Sequence, residues 1–161
     1  FQSDRLYDTT GALTYLSVIA AASLAAISAR GSLGPVALAV AGMVAVWTIR
    51  LGSFLFTRIH AAGGTDVRFE KIKVNPPRFL VAWTLQACWV IFTASAALVI
   101  ITAPEPRPLD AFFWVGAALW VIGFAFEVIA DEQKRRFKAD PVNSGKFITS
   151  GLWAWSQHPN Y

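Results

Sequence analysis

Four charged residues near the end of the chain, Glu127, Asp131, Lys134 and Lys138, recur at i, i+4, i+7 and i+11. That spacing puts their side chains on one face of a helix. Carboxylates only accept hydrogen bonds, so Glu127 and Asp131 suit the hydroxyl or N–H donors of a ribose or an amide. Two acids one turn apart repel each other unless a group outside the helix holds them. Lys134, Arg135, Arg136 and Lys138 offer charge-assisted bonds to phosphates. The plainer alternative is a solvated ladder with Asp131 opposite Arg135. Against it, Glu127 still lies within the apolar run, just after Phe124 and Phe126.

Downstream, Asp140-Pro141-Val142-Asn143-Ser144-Gly145 reads as a turn, and Thr149-Ser150-Gly151 as a second. Leu152-Trp153-Ala154-Trp155 reads as an extended segment with both Trp rings on one face. They are placed either to sandwich a flat ring or to anchor the segment at a membrane interface. In His158-Pro159-Asn160-Tyr161 the proline fixes a bend, so His158 and Asn160 can converge on one ligand. A further candidate lies upstream. Trp47, Arg50, Phe54 and Arg58 share a broad helical face, and Arg50 sits nine residues before Ile59, roughly 13 Å from that end of its span. An Arg so deep faces a partner or a wet cavity, or snorkels along its own stem. Arg50 is the candidate catalytic group. His60 and His158 are far apart and no Cys/His cluster exists, which argues against a metal site. Neither a nucleophilic triad nor a nucleic-acid motif can be assembled.

The elements that must carry these residues are apolar. Of 161 residues 55% are hydrophobic and 15% charged, with seven Trp and twelve Phe; soluble domains carry about 25% charged residues. Several apolar runs match the ~20 residues that cross a bilayer. The expectation is an all-α, polytopic transmembrane helical bundle forming a single membrane domain, with spans at about 11–29, 36–59, 79–102 and 109–130. Asp8, Thr9 and Thr10 are positioned to cap the first span near Gly11. Gln86, polar at membrane depth, is expected to bond across helices. The fourth helix is expected to run on through Asp131 to about Lys138, since no Gly or Pro interrupts it before Pro141. The loop 60–78 and the C-terminal segment hold most of the basic residues. Positive-inside topology puts both on the cytoplasmic-type face, with Arg50 and Arg58 directed toward it. The same rule explains the net charge of +4 without invoking nucleic acid.

The run E-x-x-x-D-x-Q-K-x-x-F-K-x-D-P-x-N-x-G-K-x-x-x-x-G-L-W-x-W-S-x-H-P-N-Y, from Glu127 to Tyr161, resembles the steroid 5-alpha-reductase-like membrane proteins, in the branch long classed as a domain of unknown function. Trp47 to Leu51, W-x-x-R-L, agrees with it. The resemblance implies a cofactor-type segment over 127–161. Glu127 and Asp131 would touch a nicotinamide cofactor, NADPH; Lys138 would lie near its phosphates, and Asn160 near the nicotinamide amide. His158 and Tyr161 belong to an H-P-x-Y element shared with isoprenylcysteine carboxyl methyltransferases, which bind S-adenosylmethionine. It also implies further helices after H-P-N-Y, where the family continues into F-G-E. This sequence has Gln157 where the family usually has Arg, Trp47 where steroid reductases place a catalytic Tyr, and no Q-E-L-P-like segment. The implied activity is hydride transfer from NADPH to a carbon–carbon double bond of a lipid-like molecule within the bilayer. The alternatives are an S-adenosylmethionine-dependent lipid methyltransferase, or a structural subunit partnered with other membrane subunits and holding no cofactor.

Overall fold

A computed structural model describes residues 6–61, 72 and 74–160. The described residues form helices and turns without strands, and four helices are long and apolar enough to cross a membrane. Two compact units divide the chain, Phe1–Pro108 and Leu109–Tyr161.

The first unit holds α1 (Tyr7–Arg30), α2 (Pro35–Ala61) and α3 (Pro76–Thr102), each packed on the other two. Small residues set their spacing. Ala26, Ala37 and Ala97 are buried with Ile19 and Ile101, and Ala22, Val40 and Ala41 pack around them. In lipid, where apolar helices gain little by leaving their solvent, such close van der Waals contact drives association. Tyr15, Val90 and Ala94 form a second cluster with Trp47. Gln86 bonds across helices as expected, donating to the Tyr7 carbonyl at 2.9 Å. Arg30, ending α1, donates to the carbonyls of Ile101 (2.8 Å) and Ala103. Those groups belong to the last turn of α3 and its cap, where carbonyls lack helical partners and the dipole is negative.

Two boundaries differ from the sequence reading. Helix α1 starts at Tyr7 rather than Gly11, behind Leu6, with no side-chain cap. Asp8, Thr9 and Thr10 are therefore inside the helix. The extra turn is held by tertiary contacts: Tyr7 donates to the Ala82 carbonyl at 2.9 Å and meets Trp83 edge-on, while Asp8 pairs with Arg58 at 3.7 Å. Helix α3 starts at Pro76 rather than Phe79. The Asn75 side chain accepts the Arg78 N–H, and the two prolines occupy the first helical positions, where a missing N–H costs nothing. Most of the basic loop, 62–71 and Lys73, lies outside the described residues, and so does Tyr161.

The second unit is built on α4 (Ala111–Ala139), capped by Asp110, whose carboxylate accepts the Phe113 N–H at 2.9 Å. It runs past the apolar stretch to Ala139, close to the expected Lys138. Asp140 then caps a 3-10 turn, Pro141–Asn143, by accepting the Val142 N–H, and Asn143 donates back to the Phe137 carbonyl at 3.1 Å. A second 3-10 turn, Gly151–Ala154, packs on α4.

Candidate functional site

The site is built where the chain after α4 returns to the polar end of that helix. Three bonds hold it there. Trp153 buries its ring and donates its indole N–H to the Ala130 carbonyl at 3.0 Å. Gln133 accepts the Leu152 N–H at 3.0 Å. Asn160 donates its amide N–H to Asp131 at 3.0 Å. Gly151 permits the approach. Its φ is +62°, and a Cβ there would stand 2.6 Å from the Gln133 amide nitrogen. The left-handed backbone calls for glycine, and the Gln133 amide could make way for a side chain only by disturbing its bond to Leu152.

Asp131 is 5% exposed. A buried carboxylate needs donors, and Asn160 supplies one from 29 residues downstream. The pairing fixes the Asn160 amide. A carboxylate can only accept, so Nδ2 faces Asp131 and Oδ1 faces away from it. Oδ1 is itself buried and has no hydrogen-bond partner among the described residues. The arrangement therefore leaves a buried acceptor without a donor among the described residues. Glu127, half-buried, stands one turn before Asp131 on the same helix.

The basic residues are arranged differently from the sequence reading. Arg135 does not pair with Asp131. It grips Glu132 with two bonds of 2.7 Å, and Arg136 adds a third at 2.6 Å. These bonds, first from Arg135 and then from Arg136, hold the Glu132 carboxyl down at about 2. The same contact raises the Arg135 guanidinium above its ordinary value. Lys134 lies over the Trp153 ring, 4.4 Å from its centroid, a cation–π contact. Lys138 is exposed. The sequence offers two acids to the same arginines, and only rotamers choose between i+3/i+4 from Glu132 and i+4 from Asp131.

The two tryptophans also part company. Residues 151–154 form a 3-10 turn rather than an extended segment, so Trp153 and Trp155 do not share a face. Trp153 is buried and Trp155 is 81% exposed; the ring sandwich is overturned. His158 is exposed, its backbone N–H bonded to the Ser156 hydroxyl at 3.1 Å. Thus Asp131 and Asn160 are brought into direct contact, Glu127 lies on the same helix, and Lys138 and His158 are at the surface. Gln133 was visible in the Q-K pair of the motif but carried no assigned role; its signal was the distant Gly151.

Arg50 belongs to the first unit. Its guanidinium lies 5.3 Å from the Phe54 ring centroid. Trp47 turns inward instead, edge-on to Tyr15 at 5.2 Å, and Arg58 pairs with Asp8, so the presumed common face is divided among separate contacts. A cleft of about 190 Å³ does open in this unit, but Arg50 is not among its lining residues.

A family described as "Protein of unknown function (DUF1295)" matches residues 1–161. An uncharacterised protein of Schizosaccharomyces pombe is 23% identical over 142 residues, which are 72% of this chain and 41% of that protein. A probable O-methyltransferase of Ustilaginoidea virens is 31% identical over 52 residues, 32% of this chain and 18% of that protein. The chain spans less than half the length of these curated relatives. No solved structure matches it.

Proposed function

The chain belongs to the DUF1295 family, and from that footing we propose that it is the cofactor-binding part of a membrane oxidoreductase resembling steroid 5-alpha-reductases. The reaction would move hydride from NADPH to a carbon–carbon double bond of a lipid-like molecule. The observation that supports this reading most is the part-buried Asp131–Asn160 pair, whose Asn160 Oδ1 is buried and has no hydrogen-bond partner among the described residues. A nicotinamide carries a primary carboxamide, whose N–H satisfies such an acceptor. Left unpaired, a buried acceptor costs about 1–3 kcal/mol, so a donor there has a clear return. Asp131 orients Asn160, and Asn160 positions the carboxamide. Glu127 suits a ribose hydroxyl. Lys138 suits phosphate, whereas Arg135 and Arg136 are engaged by Glu132. When bound, NADPH supplies the hydride; the protein supplies orientation and electrostatics. Arg50 is carried as the candidate that polarises the substrate carbonyl, tested by Arg50→Met, which should lower turnover while leaving NADPH affinity unchanged.

A second reading is favoured by the relative named as a probable O-methyltransferase. The same acids suit the ribose of S-adenosylmethionine, and the acceptor would again be lipidic. The deciding experiment is ligand binding to the full-length purified protein, with NADPH and S-adenosylmethionine in parallel. The reductase reading expects saturable NADPH binding, at least tenfold weaker in Asn160→Ala. Binding of S-adenosylmethionine alone would move the assignment to a methyltransferase. Binding of neither to folded protein would leave a structural subunit on a shared scaffold.

A further inference from the structure

The segment that follows α4 sorts its large apolar side chains into two sets. Ile148 and Leu152 are half-buried and Trp153 is buried. Val142, Phe147 and Trp155 are instead 72%, 92% and 81% exposed. All three stand beyond the apolar run of α4, among polar residues. Bared rings in such a segment mark an interaction surface, since each takes about 150–250 Å² out of water when it is covered.

Depth and charge name the partner. From Ala111, where α4 starts, to Ala130 the helix rises about 29 Å, which matches a hydrocarbon core about 30 Å thick. The Trp153 indole bonds the Ala130 carbonyl at 3.0 Å. Trp155, two residues on, is therefore pinned where α4 leaves the hydrocarbon. Asn143 bonds the Phe137 carbonyl at 3.1 Å, about 10 Å farther along the helix, and this pins Val142 above the boundary. Phe147 lies on the stretch between the two anchors. The charges agree with this placement. Between residues 134 and 155 there are five basic residues and one acid, Asp140. Glu132 engages Arg135 and Arg136, whereas Lys146 is exposed beside Phe147. Aromatic rings next to lysines suit the membrane interface, the rings at the boundary of the acyl chains and the ammonium groups on anionic headgroups.

We propose that residues 142–155 form a membrane-surface docking face, with Trp155 and Phe147 seated at the headgroup–acyl boundary and Lys146 paired with the phosphate of an anionic phospholipid. The face uses none of the residues assigned to NADPH and does not rest on that reading. The test uses the full-length protein in phospholipid nanodiscs, in a cysteine-free background that includes Cys88→Ala. A bimane fluorophore is attached in turn at Trp155→Cys, Phe147→Cys and Val142→Cys, and melting curves show that each variant folds. Two quenchers compete, aqueous acrylamide and a phospholipid with a doxyl group just below its headgroup. Doxyl quenching should fall, and acrylamide quenching rise, in the order 155, 147, 142. At the Phe147→Cys label, doxyl phosphatidylglycerol should act at about fivefold lower mole fraction than doxyl phosphatidylcholine, the increment of one lysine near a charged surface. Lys146→Gln should remove that preference and Lys146→Arg should keep it. Three results would overturn the proposal. Acrylamide reaching all three sites equally, with no doxyl quenching, would place the face in water. Shielding of all three from both quenchers would mean that protein covers it, from the same chain or another subunit. A response that ignores the headgroup, or a preference that survives Lys146→Gln, would remove the anionic lipid.

Discussion

In the first unit, helices meet through alanine, isoleucine and glycine, and polar bonds lie mainly at their ends: Tyr7 to Ala82, Gln86 to Tyr7, Arg30 to Ile101. In the second, a short segment is fastened to α4 almost wholly by directional bonds, from Trp153, Leu152 and Asn160 to Ala130, Gln133 and Asp131. The difference follows from the medium. Within hydrocarbon, shape complementarity is the cheapest source of attraction. Beyond the apolar run that ends at Ala130, water competes for every polar group, and only a buried, well-matched bond contributes much. A seam of alanines presents few bonding groups, yet Thr48 Oγ1 and Arg30 Nε are left over there among the described residues, as Asn160 Oδ1 is left over in the polar clasp.

Removing the clasp's one large buried ring should have the largest effect. Trp153→Ala deletes the indole, its bond to Ala130 and the seat of Lys134. The segment 150–160 should lose about 3 kcal/mol of local stability, seen as faster hydrogen exchange at the Leu152 amide. Unchanged exchange would mean that the ring contributes little to holding this turn. Gly151→Ala comes next. It forces an L side chain into φ +62° and into the Gln133 amide, costing about 2 kcal/mol by the left-handed conformation and the lost bond together. In the first unit, Gly52→Ala should cost about 1–2 kcal/mol through overpacking on Ala12. Here the neighbour is a rigid Cβ, so the helices must part. Thermal melting in detergent measures it, and a melting temperature equal to the wild type would show that the α1–α2 seam yields freely.

The same contrast governs what could be read from sequence. Four spans were legible because membrane helices announce themselves by length and apolarity, and α4 was followed to within a residue because nothing in the sequence breaks it before Pro141. Starts were less legible. Tyr7 extends its helix through a partner far along the chain, Ala82, whereas Pro76 extends its helix through the local Asn75 cap. In the site, Asp131 and Asn160 were both picked out, but not as each other's partner. Their separation is closed by the turn at Gly151, whose geometry no local pattern encodes. The extended reading of residues 152–155 fails for the same reason. A two-residue alternation implies a strand only when no helix waits to accept an indole N–H, and Ala130 accepts this one.

The smallest effect concerns pH and sharpens the distinction between solvent-exposed charge and buried polar clasp. Glu132 is held at about 2 against its ordinary value of 4.5 by hydrogen bonds from Arg135 and Arg136. Its folded value is depressed, so its contribution is fully present above about 4.5 and is lost as the pH falls toward about 2. The cluster faces water, with Arg136 76% exposed, and solvent and salt screen such pairs strongly. The expected signature is therefore local. In the wild type, amide protection in the last turn of α4, Arg135 to Ala139, should decline slightly between pH 4.5 and 2, and less so in high salt. Glu132→Gln should show no such decline in that window. A wild type that is flat there would mean that the arginines contribute nothing through Glu132 and are available to phosphate after all. That result would enlarge the basic surface assigned to the cofactor from Lys138 alone to Arg135 and Arg136 as well.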